Sequence, residues 1–170
     1  MTTCSDVMTK NPVYCLPTET ASQAAQLMRD KNVGPVPVVE SCETKTVVGI
    51  ITDRDLALKI VADGRDVDAP LGELMTRDPL VCRADDSVES ALDAMVDARV
   101  RRIPVVDDRD RLVGIISQAD VATRIGVPRK TGEVVEEISR PSPALLLRRT
   151  EVAHRRKQWF FADRSENSRF

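Results

Sequence analysis

Residues 7–39, with the sequence VMTKNPVYCLPTETASQAAQLMRDKNVGPVPVV, align without a gap with residues 74–106, LMTRDPLVCRADDSVESALDAMVDARVRRIPVV. Eleven of these 33 aligned pairs are identical, at an offset of 67. The match resumes at an offset of 65, where VVGIITDRDLA (47–57) aligns with LVGIISQADVA (112–122) with six identities in eleven pairs. A duplication of this length is one supersecondary unit used twice, and each copy needs the other to bury its apolar face. Function is therefore expected between the copies, near a pseudo-twofold axis.

The composition fits one compact unit rather than two independent domains. The chain has 170 residues, of which 42% are apolar, enough for a single core but little for two. Its net charge of −2 conceals a split, because residues 140–170 hold eight Arg/Lys against three Asp/Glu, which leaves −7 for residues 1–139. The acidic repeats therefore argue against a nucleic-acid surface within them.

Cysteine and histidine usage indicates neither a metal site nor a catalytic one. Four cysteines (Cys4, Cys15, Cys42 and Cys82) show no CxxC spacing, and the one histidine, His154, lies in the tail. With no glycine-rich phosphate loop and no Cys–His pair, we expect no catalytic residues and no enzyme activity. Cys15 and Cys82 occupy equivalent positions and are expected to be small buried residues, with redox sensing as the alternative. No signal segment or membrane span is predicted, so we expect a cytoplasmic protein.

Each repeat is predicted to run strand, helix, strand, strand, helix, from hydrophobic periodicity and turn residues. The first repeat is predicted to contain a strand at 13–16, a helix capped by Thr20 with Gln23 completing a capping box, strands at 36–39 and 47–52, and a helix at 54–62 ending near Gly64. The second is predicted to contain a strand at 80–82, a helix capped by Ser87, strands at 103–106 and 112–117, and a helix ending at Gly126.

This β-α-β-β-α repeat, with the strings VGIITDRD and VGIISQAD, resembles the CBS domain, named for cystathionine beta-synthase, over residues 7–125. Two such domains in tandem form a Bateman module, and the layout is similar to stand-alone bacterial CBS-pair proteins. The resemblance implies an α/β (α+β) fold of two tandem repeats packed around a pseudo-twofold axis. It also implies clefts between the repeats that bind AMP, ADP, ATP or S-adenosylmethionine, with no cofactor required, and a partner protein that responds to occupancy.

Four segments follow from the repeat boundaries. They are repeat 1 at 1–62, a linker at 63–72, repeat 2 at 73–126, and a C-terminal extension at 127–170 that is partly helical or disordered.

The motif G-h-h-[ST]-x-x-D, where h is apolar, is suited to a nucleotide. Its glycine lets the backbone approach a ligand, and a hydroxyl beside a helix N-terminus suits a phosphate. An ionised carboxylate accepts hydrogen bonds from both hydroxyls of a ribose. Thr52 with Asp55, and Ser117 with Asp120, are therefore predicted to be phosphate-plus-ribose pairs. The alternative is that the hydroxyls cap helices and the carboxylates favour the helix dipole.

By resemblance, each adenine slot is lined by the first strand of the opposite repeat and by residues before its x-P-V-V strand. For the cleft of Asp120 these residues are Thr9, Val13, Tyr14, Val33 and Gly34, with Ile115 alongside Ser117. For the cleft of Asp55 they are Thr76, Leu80, Val81, Val100 and Arg101, with Ile50 alongside Thr52. Ordinary core packing is the alternative for the apolar members of both sets.

The copies differ where a phosphate would sit. The second repeat carries Arg101 and Arg102, which are expected to clamp a phosphate chain, whereas the first has Gly34 and Pro35 there and only Arg54 within its own motif. The alternative for the two arginines is a solvated edge. The cleft of Asp120 is therefore expected to bind phosphorylated ligands better, unless the ring of Tyr14 fills its base slot.

Two functions are open from the sequence. The first is a non-catalytic sensor of adenosine nucleotides that acts as a homodimer, held by apolar helix faces such as that of residues 54–62. The second is a CBS-pair dimerisation scaffold whose basic, aromatic tail binds a protein, a nucleic acid or a membrane.

Overall fold

Each repeat folds as a short helix–strand arm followed by a helix–hairpin–helix body in the computed structural model, which describes residues 2–125. Repeat 1 contains α1 (Cys4–Val7), β1 (Thr9–Lys10), α2 (Ala21–Lys31), β2 (Val36–Val39), β3 (Val47–Ile51) and α3 (Asp53–Leu56), which continues as a π-helical segment, Ala57–Ala62. Repeat 2 contains α4 (Leu71–Leu74), β4 (Thr76–Arg77), β5 (Cys82–Arg83), α5 (Val88–Ala98), β6 (Arg102–Val106), β7 (Leu112–Ser117) and α6 (Gln118–Ile125). The predictions for 127–170 lie outside the described residues. Among residues 2–125, each helix is too short or too polar to span a bilayer.

The first arm (α1 and β1) and the second arm (α4 and β4) are exchanged between the repeats. Strand β1 pairs antiparallel with β7 of repeat 2, which puts Thr9 opposite Ile115. Strand β4 pairs antiparallel with β3 of repeat 1, which puts Thr76 opposite Ile50. The resulting sheets have the orders β1-β7-β6-β5 and β2-β3-β4. Each copy thus supplies an edge strand to the other, in keeping with the interdependence that the duplication predicts.

The two hydrophobic cores show the same exchange. In the repeat 2 core, side chains of α5, β6 and β7 enclose three residues of the first arm, Cys4, Val7 and Met8. In the repeat 1 core, side chains of α2, β2 and β3 enclose three residues of the second arm, Leu71, Leu74 and Met75. Withdrawing an arm would expose apolar surface on both partners, at a cost of roughly 25 cal/mol for each Å².

Pseudo-twofold symmetry relates the repeats closely. Thr46 and Arg111 are equivalent residues and form a β-bridge with each other, so the axis passes between them. Backbone conformation follows the same symmetry, because the six non-glycine residues with positive φ between residues 2 and 125 form three equivalent pairs. These pairs are Asn11 with Asp78, Asn32 with Arg99, and Lys45 with Asp110.

The glycines of the two VGII strings are explained by the arms. A Cβ atom on Gly114 would lie 2.2 Å from the Sδ of Met8, and one on Gly49 would lie 2.3 Å from the Sδ of Met75. Both distances are far below van der Waals contact. The expectation that these glycines admit a ligand is therefore corrected, since the space they leave is filled by a methionine of the exchanged arm.

The main helices and hairpins agree with the sequence analysis. Thr20 caps α2, its Oγ1 accepting from the Gln23 N–H at 3.2 Å while Gln23 Oε1 accepts from the Thr20 N–H at 2.8 Å. Ser87 caps α5 with a single bond, its hydroxyl accepting from the Ser90 N–H at 3.1 Å. Strands β2 and β3, and likewise β6 and β7, pair antiparallel as the predicted hairpins.

Shorter elements differ from the prediction. The strand expected at 13–16 is reduced to one parallel bridge between Cys15 and Val38, because Pro12 and Pro17 on either side lack the N–H that a longer ladder needs. The strand expected at 80–82 is observed at Cys82–Arg83.

The second helix of repeat 1 also differs from the expected helix at 54–62. It begins at Asp53 because Thr52 is its N-cap, and it changes from α to π geometry at Ala57. Strand β3 accordingly ends at Ile51, one residue before the expected end.

The equivalent cysteines Cys15 and Cys82 are buried in the two cores. Burial, assisted by the nearby Glu19 carboxylate, raises the pKa of Cys15 to about 12. A hydrogen bond with the Cys4 thiol and burial both raise the pKa of Cys82. Both side chains therefore remain neutral thiols near pH 7, as expected of small buried residues.

Replacing Gly114 by alanine is expected to destabilise the protein by about 1–3 kcal/mol, the usual cost of overpacking, because the new Cβ collides with Met8. Urea unfolding of Gly114→Ala, Met8→Ala and the double variant measures the coupling between the two sites. The double variant should lose less free energy of unfolding than the two single variants lose together. Additive losses would show that Met8 is not the obstacle.

Candidate functional site

A cleft of about 500 Å³ lies between the first arm, the end of α2 and the start of α6. Its volume is within the range of about 300–1,000 Å³ that is typical of small-molecule sites. Repeat 1 contributes Thr9, Asn11, Pro12, Val13, Lys31, Asn32, Val33, Pro35 and Pro37, and repeat 2 contributes Arg102, Ile115, Ser117, Ala119 and Asp120. The cleft therefore lies between the copies, as expected for the cleft of Asp120.

The two carboxylate oxygens of Asp120 differ in their contacts: one caps helix α6, and the other makes no hydrogen bond among the described residues. Its Oδ2 accepts from the Ser117 N–H at 3.0 Å and from the Ser117 hydroxyl, and its own N–H donates to Ser117 Oγ at 3.1 Å. Its Oδ1 lies 3.9 Å from Nη2 of Arg124. Because that distance exceeds hydrogen-bond length, Oδ1 remains able to accept from a ligand.

The reciprocal bonds between Ser117 and Asp120 define the contacts of the hydroxyl in this structure. A serine has a single O–H to donate, and here Asp120 receives it. The hydroxyl thus caps α6, which is the alternative raised from the sequence, and its contact with a phosphate stays a prediction. Charged donors would bind a phosphate more strongly.

Two cations supply such donors. Lys31 is the last residue of α2, held at the rim because Asn32 ends that helix in a left-handed conformation. Arg102 begins β6 opposite Ser117, so its side chain reaches the cleft from the other repeat. Both side chains are exposed, and neither forms an ion pair within residues 2–125. They leave the cleft with a local excess of positive charge over the single carboxylate of Asp120.

Apolar residues form the walls. Val33 packs on the repeat 1 core while it lines the cleft, and Ile115 lies beside Thr9 in the sheet. Val13 and three prolines complete this surface. Such walls suit the faces of a purine ring, and the prolines fix the backbone without presenting N–H groups.

Tyr14 and Gly34, both predicted for this cleft, are not among the residues that line it. The Tyr14 ring lies 5.7 Å from the Lys45 ammonium, and a hydrogen bond with Cys42 raises its pKa. Successive side chains of an extended segment point in opposite directions, so Val13 faces the cleft and Tyr14 does not. Gly34 lies beside Asp53, whose N–H donates to its carbonyl at 3.3 Å. The base slot is therefore not filled by an aromatic ring.

The residues predicted around Asp55 repeat part of this arrangement. Asp55 Oδ2 accepts from the Thr52 N–H at 3.0 Å and from the Thr52 hydroxyl at 2.7 Å. Ile50 lies opposite Thr76, as Ile115 lies opposite Thr9. Leu80 and Val81 remain 40% and 37% exposed.

The two cations of the Asp120 cleft have no counterparts beside Asp55. By the alignment offsets, the equivalent of Lys31 is Ala98 and the equivalent of Arg102 is Pro35. Val100 packs on the repeat 2 core, while the side chains of Arg101 and Arg54 are exposed. Of the two arginines predicted as a clamp, only Arg102 lines the described cleft, whereas the Arg101 carbonyl accepts from the Gln118 N–H at 3.1 Å.

Sequence reasoning missed Lys31, Asn11 and Asn32. An available signal was the Lys-Asn pair at the end of α2, since asparagine commonly ends a helix in the left-handed conformation. That turn places the preceding lysine at the mouth of the cleft.

The duplication agrees with the comparison to known families. The family described as CBS domain matches residues 4–62 and 71–126. The chain belongs to the CBS domain family. The CBS domain-containing protein YhcV of Bacillus subtilis is 36% identical over 139 residues, which cover 82% of this chain and 96% of that protein. Hypoxic response protein 1 of Mycobacterium tuberculosis is 35% identical over 126 residues, covering 74% and 86%.

Solved CBS pairs share the architecture. The CBS domain pair of protein MJ0100, in complex with 5-methylthioadenosine and S-adenosyl-L-methionine, matches with a TM-score of 0.66 and 29% identity, covering 74% of this chain and 97% of that one. CBSX2 in complex with AMP matches with a TM-score of 0.64 and 29% identity, covering 76% and 99%. A tandem CBS fold is therefore established for this chain.

Proposed function

We propose that the protein is a non-catalytic regulatory sensor that binds an adenosine nucleotide in the cleft of Asp120. The observation that carries the proposal is the composition of that cleft, which holds one carboxylate, two cations and apolar walls from both repeats. Related CBS pairs bound to AMP and to S-adenosyl-L-methionine support an adenosine ligand. Because both repeats line the cleft, a bound ligand would change how they pack, and a partner protein would respond to that change.

Each part of a nucleotide has a matching group. The ribose hydroxyls donate to Asp120 Oδ1, the oxygen that the helix cap leaves available. The phosphate binds Lys31 and Arg102, which approach from opposite repeats. The adenine lies between the apolar walls that Val33 and Ile115 contribute.

The charges favour a phosphorylated ligand over S-adenosylmethionine. S-adenosylmethionine carries a sulfonium and an ammonium against one carboxylate, so its net charge is positive in a cleft that already holds two cations. A phosphate is negative, and each charge-assisted contact contributes about 1.5–3 kcal/mol when sheltered and less when solvated. AMP, ADP or ATP is therefore the ligand class we propose for this cleft.

Replacing Asp120 by alanine should weaken AMP binding roughly tenfold to a hundredfold, because the ribose loses a charged acceptor. Isothermal titration calorimetry measures the change. Asp120→Ala also removes the cap of α6, so Asp55→Ala, which removes the matching cap of α3, is the control for lost stability. Equal losses of AMP affinity in both variants would contradict the assignment of this cleft.

Replacing Lys31 or Arg102 by alanine should weaken AMP more than adenosine, since only AMP carries the phosphate they contact. The difference should shrink as salt is raised, because both side chains are exposed. Titrations with AMP and adenosine at two salt concentrations measure it. Arg101→Ala is the matched control, as a neighbouring exposed arginine outside the cleft lining. Equal losses for both ligands would place the phosphate elsewhere.

We also propose a homodimer formed through the helical face of repeat 1. Leu58, Val61 and Val67 are 48%, 81% and 53% exposed, and the last two line an apolar groove between α2 and the π-helical segment. Light scattering at micromolar concentration should give about twice the monomer mass of 18.8 kDa. Val61→Asp should yield monomers, whereas Val81→Asp, an exposed valine off this face, should not. A wild-type monomer would rule the dimer out.

A further inference from the structure

In the body of each repeat, a cationic side chain binds the C-terminal end of the arm helix that comes from the other repeat. Arg124, in α6, donates from Nη1 to the Val7 carbonyl at 2.8 Å and to the Met8 carbonyl at 2.9 Å. Lys59, in the π-helical segment, donates from Nζ to the Leu74 carbonyl. These carbonyls end the arm helices α1 and α4, where a cation satisfies free acceptors and complements the helix dipole.

The two contacts are equivalent under the duplication. The offset of 65 that relates the VGII strings takes Lys59 to Arg124, and the offset of 67 takes Val7 to Leu74. The residue type differs between the copies, but the contact is the same. Each cation also lies four residues after the motif aspartate, Asp55 or Asp120, so one helix turn connects the carboxylate to the arm.

The first arm is directly connected to the cleft. Thr9 of β1 lines the cleft, and the chain that continues from it supplies Asn11, Pro12 and Val13 to the same wall. Holding the end of α1 therefore holds one wall of the cleft in place.

The same contact sets the distance between Arg124 and Asp120. With Nη1 bound to two arm carbonyls, Nη2 remains 3.9 Å from Asp120 Oδ1. If the first arm undocked, the Arg124 guanidinium would lose its two carbonyl acceptors and would be free to bind the adjacent Asp120 Oδ1. The wall and the free carboxylate oxygen would then be lost together, and both changes disfavour a ligand.

We propose that Arg124 is a positioning residue that couples docking of the first arm to occupancy of the cleft, and that Lys59 is its counterpart for the second arm. The coupling to nucleotide rests on the function proposed above. By linkage, a ligand that binds only the docked state must also stabilise docking of the arm.

Hydrogen exchange followed by mass spectrometry tests the proposal on peptides that cover residues 3–10 and 70–77. Without ligand, the amide hydrogens of residues 3–10 should exchange roughly tenfold faster in Arg124→Ala than in the wild type, as expected for lost charge-assisted bonds. Those of residues 70–77 should exchange at the wild-type rate. Lys59→Ala should show the reverse pattern. Arg124→Lys should restore the wild-type rate, because a lysine already makes the equivalent contact in repeat 1.

Titration with AMP tests the coupling itself. Arg124→Ala should bind AMP roughly threefold to tenfold more weakly, in proportion to the undocked fraction, whereas Lys59→Ala should bind it as the wild type does. Saturating AMP should slow exchange of residues 3–10 in Arg124→Ala toward the wild-type rate.

Two results would overturn the proposal. One is unchanged exchange of residues 3–10 in Arg124→Ala, and the other is faster exchange with AMP affinity intact and no effect of AMP on the rate. Absence of AMP binding to the wild type would instead contradict the proposed function and the coupling. The ligand-free rates of the Arg124 and Lys59 variants would still decide whether these side chains hold the arms.

Discussion

The packing of an arm methionine against a strand glycine is the contact on which the rest of the fold depends. Met8 and Met75 occupy the space that a side chain would need at Gly114 and Gly49. This close approach lets each arm strand join the sheet of the other repeat, and it completes both cores. The repeats are therefore parts of one cooperative structure rather than two domains joined by a linker.

The cleft follows from the same exchange. The chain that crosses from the arm on one repeat to the body of the other borders the cleft, and Thr9, Asn11, Pro12 and Val13 line it. Exact symmetry would repeat the side chains of this cleft beside Asp55, but sequence divergence has put Ala98 and Pro35 at the positions equivalent to Lys31 and Arg102. The shape of the cleft thus comes from the duplication, and its charge comes from the differences between the copies.

Much of this arrangement could be predicted from the sequence, and the failures have physical reasons. The capped helices α2 and α5 and the two hairpins have enough residues for periodicity and capping signals to appear. The arms were missed because helices of four residues and strands of two carry no periodic signal. The roles of Gly114 and Tyr14 depend on contacts across the repeats and on local side-chain direction, which neither composition nor spacing records.

The bridge between Thr46 and Arg111 has a consequence for how such a chain arises. In an assembly of two identical single-repeat chains, this bridge would join a residue to its own copy across a true twofold axis. A lone repeat would lack the arm that closes its core, so it would fold only by trading arms with a second molecule. Gene duplication would then place both arms and both bodies on one chain, and it would free the two equivalent surfaces to evolve separately.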